Sequence, residues 1–389
     1  MASLPRRIAH LDMDMFFAGV ELLHYPELRG MPMVVGGRSA DVPELLPDGT
    51  RHFHRLREYA GRGVVTTSTY EARALGVFSA MSMMKAARLA PDAVLLPANF
   101  DAYRHYSRLF KQAVASVTPD IEDRGIDEIY IDLTNRPEES RALASRIKQA
   151  VRDATRLSCS ICIAPNKLLA KIGSDLDKPD GLTILDEASI PARIWPLSVG
   201  KINGIGPKAA QKLAGLGIVT IAELAQADPA LLQKHFGLSY AGWLVNVAHG
   251  RDSRPVVTSS EPKSVSRETT FERDLHVRRD RATLSEAFTS LCTRVAADLK
   301  RKGYVGRTIG IKLRYQDFRT VTRDLTLPTP TQDAAAIRRA AGECLKRVPL
   351  DSRIRLLGVR IGALSPETEV LAEESPTQGE LPFGVSQDG

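Results

Sequence analysis

Nowhere in its 389 residues does this chain carry a run of about 18 apolar residues, so no membrane-spanning helix is expected. The first residues, 1–7, lack a long apolar stretch as well, and no signal peptide is expected there. Cysteine is scarce, with four residues at 159, 162, 292 and 344. Cys159-Ser160-Ile161-Cys162 has the spacing of half a zinc site, but no second Cys/His pair completes one, and the stretch lies in an apolar run. Buried free thiols in a reducing cytoplasm are the expectation. No repeat of solenoid period is present. The last segment, 365–389, holds six acids and neither lysine nor arginine, and reads as a disordered tail.

What is present is a basic balance, net +7, placed unevenly. Residues 263–364 contain 22 Lys/Arg against 11 Asp/Glu, a composition suited to a polyanion such as nucleic acid. The length predicts two to four domains. Periodicity predicts strands over 8–13, 33–35, 64–69, 120–126, 129–133 and 158–163. It predicts helices over 81–89, 100–117 and 138–154. The strand at 8–13 with the later elements gives a β-α-β-β-α-β order, the ferredoxin-like arrangement. Residues 38–63 are polar and rich in Pro and Gly, and read as a long surface loop with a short helix near 54–59. Short helices separated by glycine fill 181–250. Residues 251–262 read as a linker open to more than one placement, and 263–364 as a second α+β unit with helices over 284–301 and 331–346.

Two acidic centres carry the chemistry. Asp12-Met13-Asp14 closes the first strand and is followed by Phe16-Phe17, and Asp127-Glu128 sits in the hairpin around 120–133. In the ferredoxin-like order the first strand pairs beside that hairpin. The acids could then hold two divalent cations about 4 Å apart, an arrangement that activates an attacking oxygen and stabilises a leaving phosphate oxygen.

Around these centres several motifs fall in a fixed order. They are Thr67-Ser68-Thr69-Tyr70-Glu71-Ala72-Arg73, Phe100-Asp101-Ala102-Tyr103, Ala170-Lys171-Ile172-Gly173-Ser174-Asp175 with Lys178-Pro179, and Ile202-Asn203-Gly204-Ile205-Gly206. In this order they resemble the Y-family of DNA polymerases, in its bacterial branch, over almost the whole chain apart from 38–63. The resemblance implies an α+β right-hand polymerase. A ferredoxin-like palm would take 1–14 and 97–178, and small fingers 15–96 with the 38–63 insertion. A helical thumb would take 179–250, with a linker at 251–262. A little finger would follow at 263–364, then a tail at 365–389.

It further implies that Asp12, Asp127 and Glu128 are the catalytic carboxylates and, with the backbone carbonyl of Met13, the ligands of two Mg2+ ions, with Mn2+ as a substitute. Asp14 and Asp132 are read as structural. Thr67, Tyr70, Arg73 and Lys171 would hold the triphosphate. Phe17 would exclude ribonucleotides by a clash with the 2′-hydroxyl, and Phe16, beside it at the nucleotide pocket, would serve core packing. Gly204, Gly206 and Lys208 read as the turn of a DNA-holding helix-hairpin-helix. Lys263, Arg307, Lys312, Arg314, Arg319 and Arg323 would line a duplex backbone. Gln378, Leu381, Pro382 and Phe383 resemble a motif that binds the bacterial sliding clamp.

The function implied is error-prone, translesion, template-directed DNA synthesis. The partners would be primer-template DNA, deoxynucleoside triphosphates and the clamp. The protein would be a cytoplasmic monomer without a membrane or a proofreading exonuclease. Gly125-Ile126 departs from the family's usual Ser-Leu before the acidic pair. Two other readings stand beside this one. One is a DNA- and clamp-binding accessory protein that keeps the fold without turnover. The other is a metal-dependent nucleotide cyclase, which shares the core and paired acids but has no use for the hairpin, basic module or tail.

Overall fold

The computed structural model describes residues 5–36 and 42–368. It divides into two compact units, Met1–Ser259 and Ser260–Gly389, with the division inside the expected linker.

The first unit opens with β1 (Ile8–Met13), α1 (Phe16–His24) and β2 (Met33–Gly36), then the two-residue strands β3 (Glu44–Leu45) and β4 (Arg51–His52). Next come β5 (Val65–Ser68), α2 (Tyr70–Ala74), α3 (Met83–Leu89), β6 (Val94–Leu96) and α4 (Phe100–Val117). They are followed by β7 (Ile121–Asp123), β8 (Glu128–Asp132), α5 (Ser140–Thr155), β9 (Cys159–Ala164), α6 (Lys167–Ser174) and β10 (Leu182–Ile184). The helices α7 (Pro207–Ala214), α8 (Ile221–Gln226), α9 (Pro229–Phe236) and α10 (Leu238–Ala248) close the unit.

The main sheet has the order β10-β9-β1-β8-β7, and β1 pairs antiparallel with both β8 and β9. The four strands β9-β1-β8-β7 are the ferredoxin-like arrangement expected from the sequence. The helices α4 and α5 cover one face. In α4 the buried residues Tyr103, Ser107, Phe110 and Val114 recur at helical spacing, and the Asn99 side chain caps the first turn by accepting from the Ala102 amide. In α5 Leu143, Ala144, Ile147 and Val151 form the matching stripe. The strand β9 is buried on both faces. Cys159, Ile161 and Ile163 join the α4–α5 core, while Cys162 and Ala164 join a second core built with α6 and the helices after it. That explains the apolar run around Cys159 and Cys162, interrupted only by Ser160; all four cysteines are buried free thiols.

A smaller sheet, β5-β2-β6, organises residues around 33–96. Here the loop reading of 38–63 needs correction. Leu56 is fully buried and Tyr59 nearly so, in one cluster with Val34, Val65 and Met83. The Leu56 amide donates to the Ala93 carbonyl, and the Leu95 amide to the His54 carbonyl. Leu56 and Tyr59 therefore anchor residues 53–63 to a core, and the excursion exposed throughout is the β3–β4 hairpin. Only a single 3-10 turn, Leu56–Glu58, stands where a short helix was expected. The hairpin is tied back at its base, where Arg51 pairs with Glu27 at 2.8 Å and Phe53 meets Tyr25 edge-on.

The reading of 251–262 as a freely placed linker also changes. These residues form no regular element, yet the Leu168 amide donates to Asp252 at 3.0 Å and the Val257 amide to Glu122 at 2.8 Å. Glu122 is itself paired with Lys167 in a buried ion pair, so the chain is fixed to the first unit as far as Val257.

The second unit consists of β11 (Ser264–Leu275), α11 (Arg281–Lys302), β12 (Tyr304–Tyr315), β13 (Thr320–Thr331), α12 (Ala334–Lys346) and β14 (Ile354–Pro366). Its sheet order is β11-β14-β12-β13. Ile309, Ile311, Leu313, Val359 and Ile361 pack under the two helices in one core. The alternate residues of each strand form an open face. Among the described residues, no helix is long and apolar enough to cross a membrane.

Candidate active site

The site follows from the period of two along β1. Ala9, Leu11 and Met13 enter the α4–α5 core, so His10 and Asp12 point to the opposite side. In β8 Ile129 and Ile131 enter the same core, so Glu128 and Tyr130 point away. The register sets Asp12 directly across from Glu128 and His10 across from Tyr130. Directly opposed residues share a face, so the two acids are neighbours. Asp127 precedes β8, is half-buried, and its carbonyl accepts from the Met13 amide at 3.0 Å. Met13 buries its side chain, which leaves only its backbone for a polar role.

The helix α6 and the turn after it bring cations to this face. Lys178 Nζ lies 2.6 Å from Asp12 Oδ1 and 3.2 Å from Asp175 Oδ1. Lys171 pairs with Glu128 Oε2, and His10 Nε2 lies 3.5 Å from the same oxygen. Burial pushes the carboxyls of Asp12 and Asp127 above their usual range, Asp127 further through repulsion from Glu128. The His10 ring and the Lys171 ammonium instead hold Glu128 down, at about 2. Donor atoms of His10, Asp12 and Glu128 lie within 4.8 Å of one another. The carboxylates already draw positive charge from two lysines, and their hard oxygens suit a divalent cation of the magnesium class. Asp14 has a different task. It is buried and accepts from the Ser160 hydroxyl and the Asp180 amide, both at 2.8 Å. Asp132 accepts from the Thr134 amide at 2.9 Å. Both carboxylates thus have hydrogen-bond donors within the fold.

Of the residues expected to hold the triphosphate, Thr67 lies on β5, Tyr70 and Arg73 on α2, and Lys171 on α6. Thr67 is nearly buried in β5. Tyr70 and Arg73 stand three apart on α2, and the Arg73 guanidinium sits 5.0 Å from the Tyr70 ring centre. The Tyr70 hydroxyl is buried without a hydrogen-bond partner. Burial and the Asp14 charge raise its pKa, and Asp12 and Lys178 act on it as well, so α2 faces the acidic site. An unpartnered phenol there fits an anionic ligand that supplies the missing acceptor.

Phe17 is half-buried and lies against Tyr103 at 4.5 Å and Phe100 at 5.9 Å between ring centres. Tyr103 is held by its hydroxyl, which donates to the buried Glu21 carboxylate. Phe16 is 3 % exposed and packs edge-on against Phe110, which removes it from a nucleotide pocket and assigns it to the core.

The expected hairpin turn has another reason for its first glycine. Gly204 has φ +111°, and a Cβ there would come within 2.8 Å of the Trp243 ring. Its carbonyl accepts from the Tyr240 hydroxyl at 3.0 Å. Gly206 caps α7 with open space around it, and Lys208 follows in the first turn.

In the second unit the register sorts the expected DNA residues. Lys312 and Arg314 stand on the open face, Lys312 paired with Glu268 at 2.8 Å. Arg323 is opposite Ile311 and so shares the helix-covered side, at its exposed edge. Arg307 lies at a register irregularity and donates to the Leu327 carbonyl at 3.3 Å. Arg319 packs over the Tyr315 ring at 4.8 Å, and Lys263 is exposed just before β11. Gln378, Leu381, Pro382 and Phe383 lie outside the described residues.

Sequence reasoning did not single out His10, Ser174, Lys178 and Arg360 as candidate site residues, although the structure sets them beside ones it did. The alternation of β1 already put His10 on the Asp12 face, so that signal was available. Arg360 lies opposite Gly310 and Ser266 on the open face of the second sheet, beside Lys312.

Comparison with known proteins shows the family. Residues 11–175 match the impB/mucB/samB family, 187–218 the IMS family HHH motif, and 262–379 the C-terminal domain of the impB/mucB/samB family. The chain is similar to a DNA polymerase IV of Alkalilimnicola ehrlichii, 39% identical over 92% of this chain and 95% of the relative. It is also similar to one of Xanthomonas axonopodis pv. citri, 37% identical over 97% and 98%. Among solved structures, a Y-family DNA polymerase chimera of Dbh and Dpo4 is 26% identical, with a TM-score of 0.74 over 92% of this chain and 98% of the other. An insertion ternary complex of Dbh DNA polymerase is 25% identical, with a TM-score of 0.63 over the same shares.

Proposed function

The chain belongs to the impB/mucB/samB family and is a DNA-directed DNA polymerase of the Y type, and we propose that it extends primers past damage by two-metal phosphoryl transfer at the acidic ends of β1 and β8. The observation that carries this reading is the Asp12–Glu128 cross-strand pair, with Lys171 and Lys178 set against the two carboxylates.

Divalent cation use follows from the family. Magnesium is the proposed ion, with manganese as a substitute, held by Asp12, Asp127, Glu128 and the Met13 carbonyl. When bound, the ions would make the primer 3′-hydroxyl a better nucleophile and neutralise charge on the departing pyrophosphate. The chain's own residues do the positioning. Tyr70, Arg73, Thr67 and Lys171 orient the β- and γ-phosphates without contact to the base. Phe17, held by Tyr103 and Phe100, presents a flat wall to the sugar. Lys171 then changes partner, from the Glu128 carboxylate to a phosphate.

The domain reading has palm at 1–14 and 97–178, fingers at 15–96, thumb at 179–250 and little finger at 263–364. The α7 turn with Lys208, and the open face with Lys312, Arg314 and Arg360, supply backbone contacts that tolerate any sequence. The tail motif around Leu381 and Phe383 is proposed to bind a sliding clamp, and the protein to work as a cytoplasmic monomer.

The test is primer extension with Mg2+ and four deoxynucleotides on undamaged and abasic templates. Extension on both, without 3′-exonuclease activity, is expected. Tight primer-template binding with no extension under any divalent ion would assign the chain to the accessory reading.

A further inference from the structure

Besides the Tyr70 hydroxyl, a second buried polar atom near the acids makes no hydrogen bond. His10 is fully buried in β1, and its Nε2 makes no hydrogen bond, although it points to Glu128 Oε2 at 3.5 Å. Its Nδ1 lies 2.8 Å from the Oγ of Ser174, which is also buried, on α6. We propose that Ser174 and His10 form a positioning pair that orients the Glu128 carboxylate for metal; this rests on the reading of Glu128 as a metal ligand.

The direction of the hydrogen bonds follows from chemistry. The Ser174 hydroxyl has one proton and two acceptors in reach, His10 Nδ1 and, at 3.0 Å, the Lys171 carbonyl. With the proton on Nδ1, the lone pair of Nε2 would face a carboxylate oxygen. With the Ser174 hydroxyl donating a hydrogen bond to the Nδ1 lone pair, the ring carries its hydrogen on Nε2 and aims it at Glu128. The carboxylate selects this second tautomer. A neutral ring suffices for the role.

His10 is a poor ligand itself. It lies one register step inside Asp12, its ring packed 4.7 Å from Tyr130, and is closed to the waters that a magnesium-class ion keeps. Lys171 and His10 both address Oε2, which leaves Oε1 available. When Lys171 turns to the triphosphate, His10 stays as the group that fixes the carboxylate plane. Hydrogen-bond donors behind metal ligands set affinity in this way.

The probe is Mn2+ titrated into the DNA-free protein and followed by electron paramagnetic resonance. Glu128→Gln is expected to abolish the site. His10→Ala should weaken Mn2+ by roughly tenfold, the lower range for such partners. His10→Gln, whose amide N–H can reach the place of Nε2–H, should bind close to wild type. Ser174→Ala should fall between. In extension assays the half-saturating Mg2+ concentration should rise in His10→Ala, with the rate at saturation little changed. Wild-type Mn2+ affinity in His10→Ala, with loss in Glu128→Gln, overturns the proposal alone. Unchanged affinity in Glu128→Gln overturns the underlying reading. A His10→Gln protein as weak as His10→Ala would make His10 a ligand and overturn the positioning role. If His10→Ala does not fold, unchanged affinity in Ser174→Ala overturns the pair.

Discussion

The Lys178 ammonium lies 2.6 Å from the Asp12 carboxylate, across the gap between the turn after α6 and the end of β1. Burial pulls the lysine's pKa down, and Asp12 with Asp175 more than offsets this, so its charge is retained. Asp12 is thus paired with the lysine here, and in the proposed cycle a metal would take the lysine's place.

Removal of any one acid should stop chemistry without preventing DNA binding. Asp12→Ala, Asp127→Ala and Glu128→Ala are each expected to lower single-turnover extension by on the order of 10³-fold, the equivalent of about 4 kcal/mol of lost charge stabilisation. Primer-template affinity by fluorescence anisotropy should stay within a few-fold, because backbone contacts elsewhere supply it. Normal extension by Asp127→Ala would refute the two-metal assignment.

Phe17→Ala should let ribonucleotides in. The ring is held against Tyr103, so its loss opens space beside the sugar. Discrimination between ribo- and deoxynucleotides, measured as a ratio of kcat/KM, should drop by roughly 10²-fold, about 3 kcal/mol of clash. An unchanged ratio in a variant that still polymerises would leave Phe17 a packing residue.

The segment 38–63 should respond in two ways. The ends of the β3–β4 hairpin are paired, Glu44 with His52, so residues 44–52 can be replaced by two glycines with little strain. Extension on undamaged template should stay within about threefold, since Arg51–Glu27 is an exposed pair of small energetic weight. Leu56→Ala should instead cost about 2–5 kcal/mol in chemical denaturation, as a fully buried side chain in the smaller core. Equal stability of Leu56→Ala and wild type would contradict the placement of 53–63.

The tail motif makes a separate prediction. Leu381 and Phe383 are proposed as two apolar anchors, with Pro382 reducing the ordering cost of binding. Truncation after Ser375, or Leu381→Ala with Phe383→Ala, should leave basal extension on a short template unchanged. Stimulation by a loaded sliding clamp should be lost, because tethering raises the effective concentration at the primer end. Equal stimulation of truncated and intact proteins would move the clamp contact elsewhere.

Much of this was legible in the residues. Helix α4 spans the very stretch its apolar spacing predicted, and Cys159–Ala164 is the strand its apolar run indicated. The acids at Asp12 and at Asp127-Glu128 stand out because strand ends and hairpins are encoded locally, by periods of two and 3.6 and by turn chemistry. Those signals reach only a few residues along the chain.

The rest depended on what distant segments do to one another. Leu56 and Tyr59 read as loop residues because prolines and glycines surround them, yet a core formed by other strands takes them in. Residues 252–257 have linker composition, but a buried Glu122–Lys167 pair offers acceptors and donors that hold them. Gly204 reads as a phosphate-binding glycine, and the neighbour that forbids a side chain is Trp243. The sequence by itself determined which residues could do the chemistry, since residue type and local period are properties of the chain. Sheet order and register decided that Asp12 meets Glu128, and the packing of α6 against β1 decided that Ser174 meets His10, because such contacts exist only once separate elements have come together and every side chain has been assigned a face.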